Sequence, residues 1–170
     1  MAIYDHSKYV SLTMEFRCNL ACSWCDTPYT WHFEGDNRPH RGGETYPRQA
    51  NQVTMEPAEV AARIAALGQA RLVITGGEPL LQGGALAEML AALPDIAVEI
   101  ETNGTVAAPA RLDIRVDQYN VSPKLAHSGN EAQLALIPER LDAYASDPRA
   151  FFKFVIAAPG DVDEVLALHR

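Results

Sequence analysis

Long apolar runs are missing from this sequence. None approaches the ~20 residues that cross a bilayer, so no membrane partner is expected. Basic residues are few. Lys and Arg number 14 against 22 Asp and Glu, leaving a net charge of −8. No basic stripe offsets that charge, which excludes a general binder of phosphate backbones and hence a direct nucleic-acid partner. The first ten residues, MAIYDHSKYV, lack the basic-then-apolar order of a secretion signal. Internal repeats, low-complexity tracts and interdomain linkers are also absent. Cysteine is scarce, with three in 170 residues. An odd count crowded into one loop excludes a disulfide scaffold and points to a reducing, cytoplasmic setting with a metal or cluster site. Apolar residues at 48% are enough for a packed core, and residues 1–170 read as one domain.

Strand and helix patterns alternate along the chain. Residues 9–16, 71–75, 96–101, 116–121 and 151–157 read as strands, each bounded by turn residues. Between them, Thr54 is placed to cap a helix bearing Val60, Ile64 and Leu67 on one face, with Gly68 as its stop. Leu86, Met89, Leu90 and Leu93 mark a second helix. Asp161 and Glu164 resemble a capping box before Val162, Val165 and Leu166. This order predicts an α/β fold with parallel strands and right-handed crossovers. Ligands then bind at the C-terminal strand ends. The unusual motifs all fall there: the cysteines after the first strand, then TGGEP, ETNGT and NVSPK. The segment 31–53 has no period and is expected to be an irregular insertion.

Cys18, Cys22 and Cys25 form C-x3-C-x2-C. Such a loop can turn three thiolates toward one small object. An iron–sulfur cluster held by three thiolates would keep one iron open for an external ligand. A zinc site completed by His32 or His40 uses the same cysteines, since Cys3His zinc sites are common. Other positions have plainer readings. Gly76-Gly77 reads equally as a tight turn, and Pro79 as a first helical residue. Glu99 reads as a solvated strand face, while Glu101 and Asn103 lie nearer the site. Lys153 reads as an edge or snorkelling lysine. His6, His127 and His169 read as surface residues.

The cysteine spacing followed by GGEP resembles the radical S-adenosylmethionine (SAM) superfamily. CDTPYTW (25–31), ITGGEPLLQ (74–82), ETNGT (101–105) and NVSPK (120–124) together resemble the 7-carboxy-7-deazaguanine synthase family. The resemblance implies a partial TIM-like barrel. It implies a 4Fe-4S cluster on Cys18, Cys22 and Cys25, with SAM cleaved to a 5′-deoxyadenosyl radical. It implies SAM contacts from Trp24, Cys25, Asp26, Gly76, Gly77, Glu78, Ser122, Pro123 and Lys124. Thr27 would bind magnesium and Thr75 would approach the substrate. The implied reaction converts 6-carboxy-5,6,7,8-tetrahydropterin to 7-carboxy-7-deazaguanine in queuosine and deazapurine biosynthesis. The implied partners are that pterin, an electron donor such as a flavodoxin or ferredoxin, and a second copy of the chain as a homodimer.

Some positions depart from the family pattern. No Q-G-E-G stretch lies between Met1 and Val10, and Met14 stands where the family carries an arginine. Arg17 is nearby but is not an expected substitute. Five strands and a last helix without a stop suggest an abridged or C-terminally truncated barrel. A different radical SAM enzyme of the activating type would share the cysteines but not CDTPYTW with NVSPK. An inactive SAM- or zinc-binding paralogue would share the loop without turnover.

Overall fold

A computed structural model describes residues 2–5, 9–14 and 18–168. Six strands form one sheet in the order β1 (Ala2–Asp5), β2 (Val10–Met14), β3 (Arg71–Gly76), β4 (Ala97–Thr102), β5 (Gln118–Val121) and β6 (Ala150–Phe152). β2 through β6 run parallel, as the strand-helix alternation predicts. β1 was not expected. It pairs antiparallel with β2, an arrangement that needs no crossover helix. Spatial order follows chain order, and the described sheet does not close. The architecture is that of a partial TIM-like barrel.

The strand period of two divides the sheet into unlike faces. Leu72, Ile74, Val98, Ile100, Tyr119 and Val121 are almost wholly buried. They pack with Val60, Ile64, Leu86, Met89 and Leu90 from the helices Pro57–Ala66 and Gly83–Ala91. The intervening residues Thr75, Glu99, Glu101, Gln118 and Asn120 are half-buried and polar. A polar face survives beside an apolar core because its groups satisfy one another or line a cavity.

Local chemistry moves several boundaries. The first long helix starts at Pro57, not on a Thr54 cap. Proline suits the first helical position, and Glu56 before it is extended, as a residue preceding proline prefers. Gly68 does stop this helix, in a left-handed conformation with φ +65°. Gly83 opens the next helix where a Cβ would stand 2.5 Å from Pro109 Cδ, so only glycine fits. A helix at Pro138–Ala145 was not expected from the periodicity.

The capping box at the helix Gly160–Leu168 does not form. Asp161 Oδ2 instead accepts from the N–H groups of Ala157 and Ala158, which hold its carboxyl below the usual range. Glu164 accepts from Ala126 N–H, 38 residues earlier. β6 is also shorter than the aromatic run implied. Phe151 and Ile156 stay exposed, since no further described strand covers that edge.

Candidate active site

The three cysteines lie in the loop after β2, on the same side of the sheet as the ends of β3, β4, β5 and β6. Together these segments line a cavity of about 250 Å³. Its walls include Cys18, Cys22, Trp24, Cys25, Asp26 and Thr27 from the cysteine loop. The strand ends supply Thr75, Gly76, Gly77, Glu101, Asn103, Asn120, Ser122 and Lys124. Four motifs distant in sequence therefore meet, as parallel topology requires. Gly76 has φ +125°, a conformation that side-chain-bearing residues rarely adopt.

Hydrogen bonds between distant loops fix the cysteine loop. Asn103 Nδ2 donates to Asn19 Oδ1 at 2.9 Å, and Asn19 Nδ2 donates to Thr105 Oγ1 at 2.7 Å. On the other side, Ser23 N–H donates to the Ser128 carbonyl at 2.9 Å. Asn130 Oδ1 accepts from Ala21 N–H at 2.9 Å, while its Nδ2 donates to Cys22 Sγ at 3.2 Å. The sequence offered no signal for Asn130, because that contact joins residues 108 positions apart.

The insertion 31–53 has little regular structure beyond the short helix Arg48–Asn51, and side-chain anchors hold it. Trp31 and Phe33 are buried as single anchors, Phe33 bridges to Tyr46, and Arg48 covers the Phe33 ring at 4.0 Å. Arg41 N–H donates to the Ser23 carbonyl at 2.7 Å. His40 accepts from Gly42 N–H at Nδ1, which leaves Nε2 to donate to the Cys25 carbonyl at 2.9 Å. Both His40 nitrogens are thus spent on backbone, and a zinc-ligating role for this ring is not supported. His32 is buried and packs beside Trp31 and His40. Among the described residues, no three His, Cys, Asp or Glu side chains converge on a single-ion position.

Two expectations are corrected. His127 is not a free surface residue: it stacks on Trp24 with ring centroids 5.5 Å apart and lies 3.4 Å from Asp161. Glu99 is not merely solvated, since it pairs with Arg71 across the β3–β4 register. Lys153 keeps its expected place at the sheet edge, with a 58% exposed side chain, and it also lines the cavity and donates to Glu101 Oε1 at 3.2 Å. His6, His169 and Arg17 lie outside the described residues. Met14 sits opposite Gly76 in the β2–β3 register.

Glu78 and Pro123 are buried but are not among the cavity-lining residues. The Glu78 side chain accepts from Leu80 N–H, Thr102 Oγ1 and Asn103 N–H at 2.7–3.1 Å. Burial raises its carboxyl pKa, while these donors and nearby Lys124 pull it down. Its side chain ties the ends of β3 and β4 together rather than facing the cavity. Lys124 Nζ donates to Ser122 O at 2.7 Å and Ser122 Oγ at 2.9 Å, and burial lowers its pKa.

Comparison with known proteins bears on this arrangement. The profile of the Radical SAM superfamily matches residues 14–127. A 7-carboxy-7-deazaguanine synthase from Pyrobaculum aerophilum is 37% identical over 151 residues, covering 87% of this chain and 58% of that protein. The enzyme of that name from Hyperthermus butylicus is 33% identical, covering 87% of this chain and 57% of that protein. The one from Bradyrhizobium diazoefficiens is 33% identical, covering 88% and 67%. The chain belongs to the 7-carboxy-7-deazaguanine synthase family of the radical SAM superfamily. It spans rather more than half the length of the first two of these relatives.

Radical SAM membership implies a 4Fe-4S cluster and SAM, and the chemistry of the residues lining the cavity suits both. None of the three cysteines is in a disulfide, and all three line it. Burial pushes the Cys18 thiol up to about 12 and raises Cys22, so ligation by iron would displace protons from them. Trp24 Nε1 is buried without a hydrogen-bond partner, which leaves an indole donor for a ligand in this radical SAM site. No helix among the described residues is long and apolar enough to cross a membrane.

Proposed function

We propose that this protein is a radical SAM carbon–nitrogen lyase that converts 6-carboxy-5,6,7,8-tetrahydropterin to 7-carboxy-7-deazaguanine and ammonia. The observation that carries this reading is the meeting of CDTPYTW, TGG, ETN and NVSPK around one cavity. When bound, the cluster and SAM supply the one-electron chemistry that begins with hydrogen abstraction.

The chain's own residues bind and orient. Cys18, Cys22 and Cys25 hold the cluster, and Asn130 donates to the Cys22 sulfur. Trp24, backed by His127, forms an apolar wall against a flat ligand such as adenine. Gly76 and Gly77 let backbone approach the ligand closely, and Asp26 and Ser122 add polar contacts at the rim. Lys124 contributes positive charge beside the cysteines. Thr75 faces the substrate from the polar side of the sheet. Thr27, whose hydroxyl lies 3.5 Å from Cys25 Sγ, would supply one oxygen to magnesium. A flavodoxin- or ferredoxin-like electron donor, a homodimeric assembly and a cytoplasmic location complete the proposal.

The reading is tested with anaerobically reconstituted protein, SAM, a reductant, magnesium and 6-carboxytetrahydropterin. The expected outcome is a deazaguanine product that appears only when all components are present. Formation of 5′-deoxyadenosine without deazaguanine would preserve the superfamily chemistry and reject this substrate.

A further inference from the structure

Two described cations line the cavity, and they differ in how they are committed. Lys124 is held by two oxygens of Ser122 among the cysteines. Lys153 stands just past β6, with its backbone N–H fixed to the Val121 carbonyl at 2.8 Å. Among the described residues its amine bonds to Glu101 alone, and that carboxylate also accepts from Thr75 Oγ1 at 3.4 Å. The Lys153 and Glu101 side chains are 58% and 40% exposed. Such a pair is screened by water and exchanges partners readily. It shares the cavity lining with Thr75, Asn120 and Val155, and it takes no part in the hydrogen bonds described above for the cysteine loop.

We infer that Lys153 is the residue that selects a carboxylate-bearing substrate, exchanging Glu101 for the substrate's carboxylate on binding. Glu101, released at that moment, accepts N–H donors from the same molecule. The ligand class is a small heterocycle that carries a carboxylate together with N–H donors. A neutral ligand would leave Lys153 on Glu101 and keep Glu101 from its N–H groups. The inference rests on the carboxytetrahydropterin reading, since that molecule combines both features. It adds a residue that the sequence pattern assigns to an exposed edge.

The test measures equilibrium binding to the reconstituted, SAM-loaded protein under anaerobic conditions. The ligands are 6-carboxytetrahydropterin and its 6-carboxamide counterpart. Wild type is expected to favour the carboxylate at least about tenfold, the scale of one charge-assisted hydrogen bond. Lys153→Gln is expected to bring the two affinities within about twofold of each other. Lys153→Arg, which keeps the charge, is expected to retain the preference and shows that the position tolerates substitution. A Lys153→Gln protein that still prefers the carboxylate as wild type does overturns the role of Lys153 and leaves the substrate reading standing. A wild-type protein that binds neither pterin overturns the substrate reading itself. One that binds both equally overturns the selectivity alone.

Discussion

Cys22→Ala protein, reconstituted anaerobically, is expected to retain less than about one-tenth of wild-type iron. The chain has three cysteines in all, so no spare thiolate can replace the lost one. Cys22 is 5% exposed and central to its loop, where the Cys25 N–H donates to its carbonyl at 3.1 Å. Alanine keeps that backbone bond, so the loop should fold and the loss should be one of ligation. Asn130→Leu provides the contrast. It removes the 3.2 Å donor to Cys22 Sγ and the acceptor of the Ala21 N–H, but no ligand. That protein should bind iron, with a more negative reduction potential, because hydrogen bonds to sulfur favour the reduced cluster. Iron analysis and potentiometric titration separate the two effects. Full iron retention in Cys22→Ala would remove this cysteine from the site.

Glu78→Ala is expected to destabilise the metal-free protein by about 3–5 kcal/mol, the scale of two buried N–H groups left unpaired plus a small cavity. The side chain is 1% exposed and receives bonds from three groups on two elements. Alanine would leave the Leu80 and Asn103 N–H groups in the interior, at a cost of about 1–3 kcal/mol for each unpaired group. A small cavity adds to that cost. Asn103 also carries Asn19 of the cysteine loop, so the damage should spread. Iron affinity is expected to fall in this variant although no ligand has been touched. Urea unfolding measures the first effect and iron retention the second. A change below about 1 kcal/mol would mean that the Glu78 tie is incidental to stability.

Much of this site is legible along the chain. TGG, ETN and NVS end apolar runs at turn residues, and parallel topology alone brings such ends together. The cysteine spacing is likewise local. The residues that needed the structure act across long separations. Asn130 reaches Cys22, His127 backs Trp24, and Lys153 reaches Glu101 across β5. No periodicity encodes those contacts, since they depend on how the loops return to the sheet. The boundary errors have local causes. A proline outranked Thr54 in starting a helix, and Asp161 bonded backward to Ala157 and Ala158 rather than to Glu164. The insertion 31–53 carries no period because isolated aromatic anchors, not a repeating face, hold it.

The central claim is that three thiolates and four strand ends build one site for a 4Fe-4S cluster with an open iron and for SAM beside it. Electron paramagnetic resonance of the reconstituted, reduced, full-length protein tests this most directly, recorded before and after SAM is added. The account predicts the signal of a reduced 4Fe-4S cluster at about four irons per chain, since three cysteines can hold such a cluster. SAM should change its g-values by reaching the open iron. An iron–sulfur signal indifferent to saturating SAM, or a colourless protein holding one zinc per chain, would contradict it.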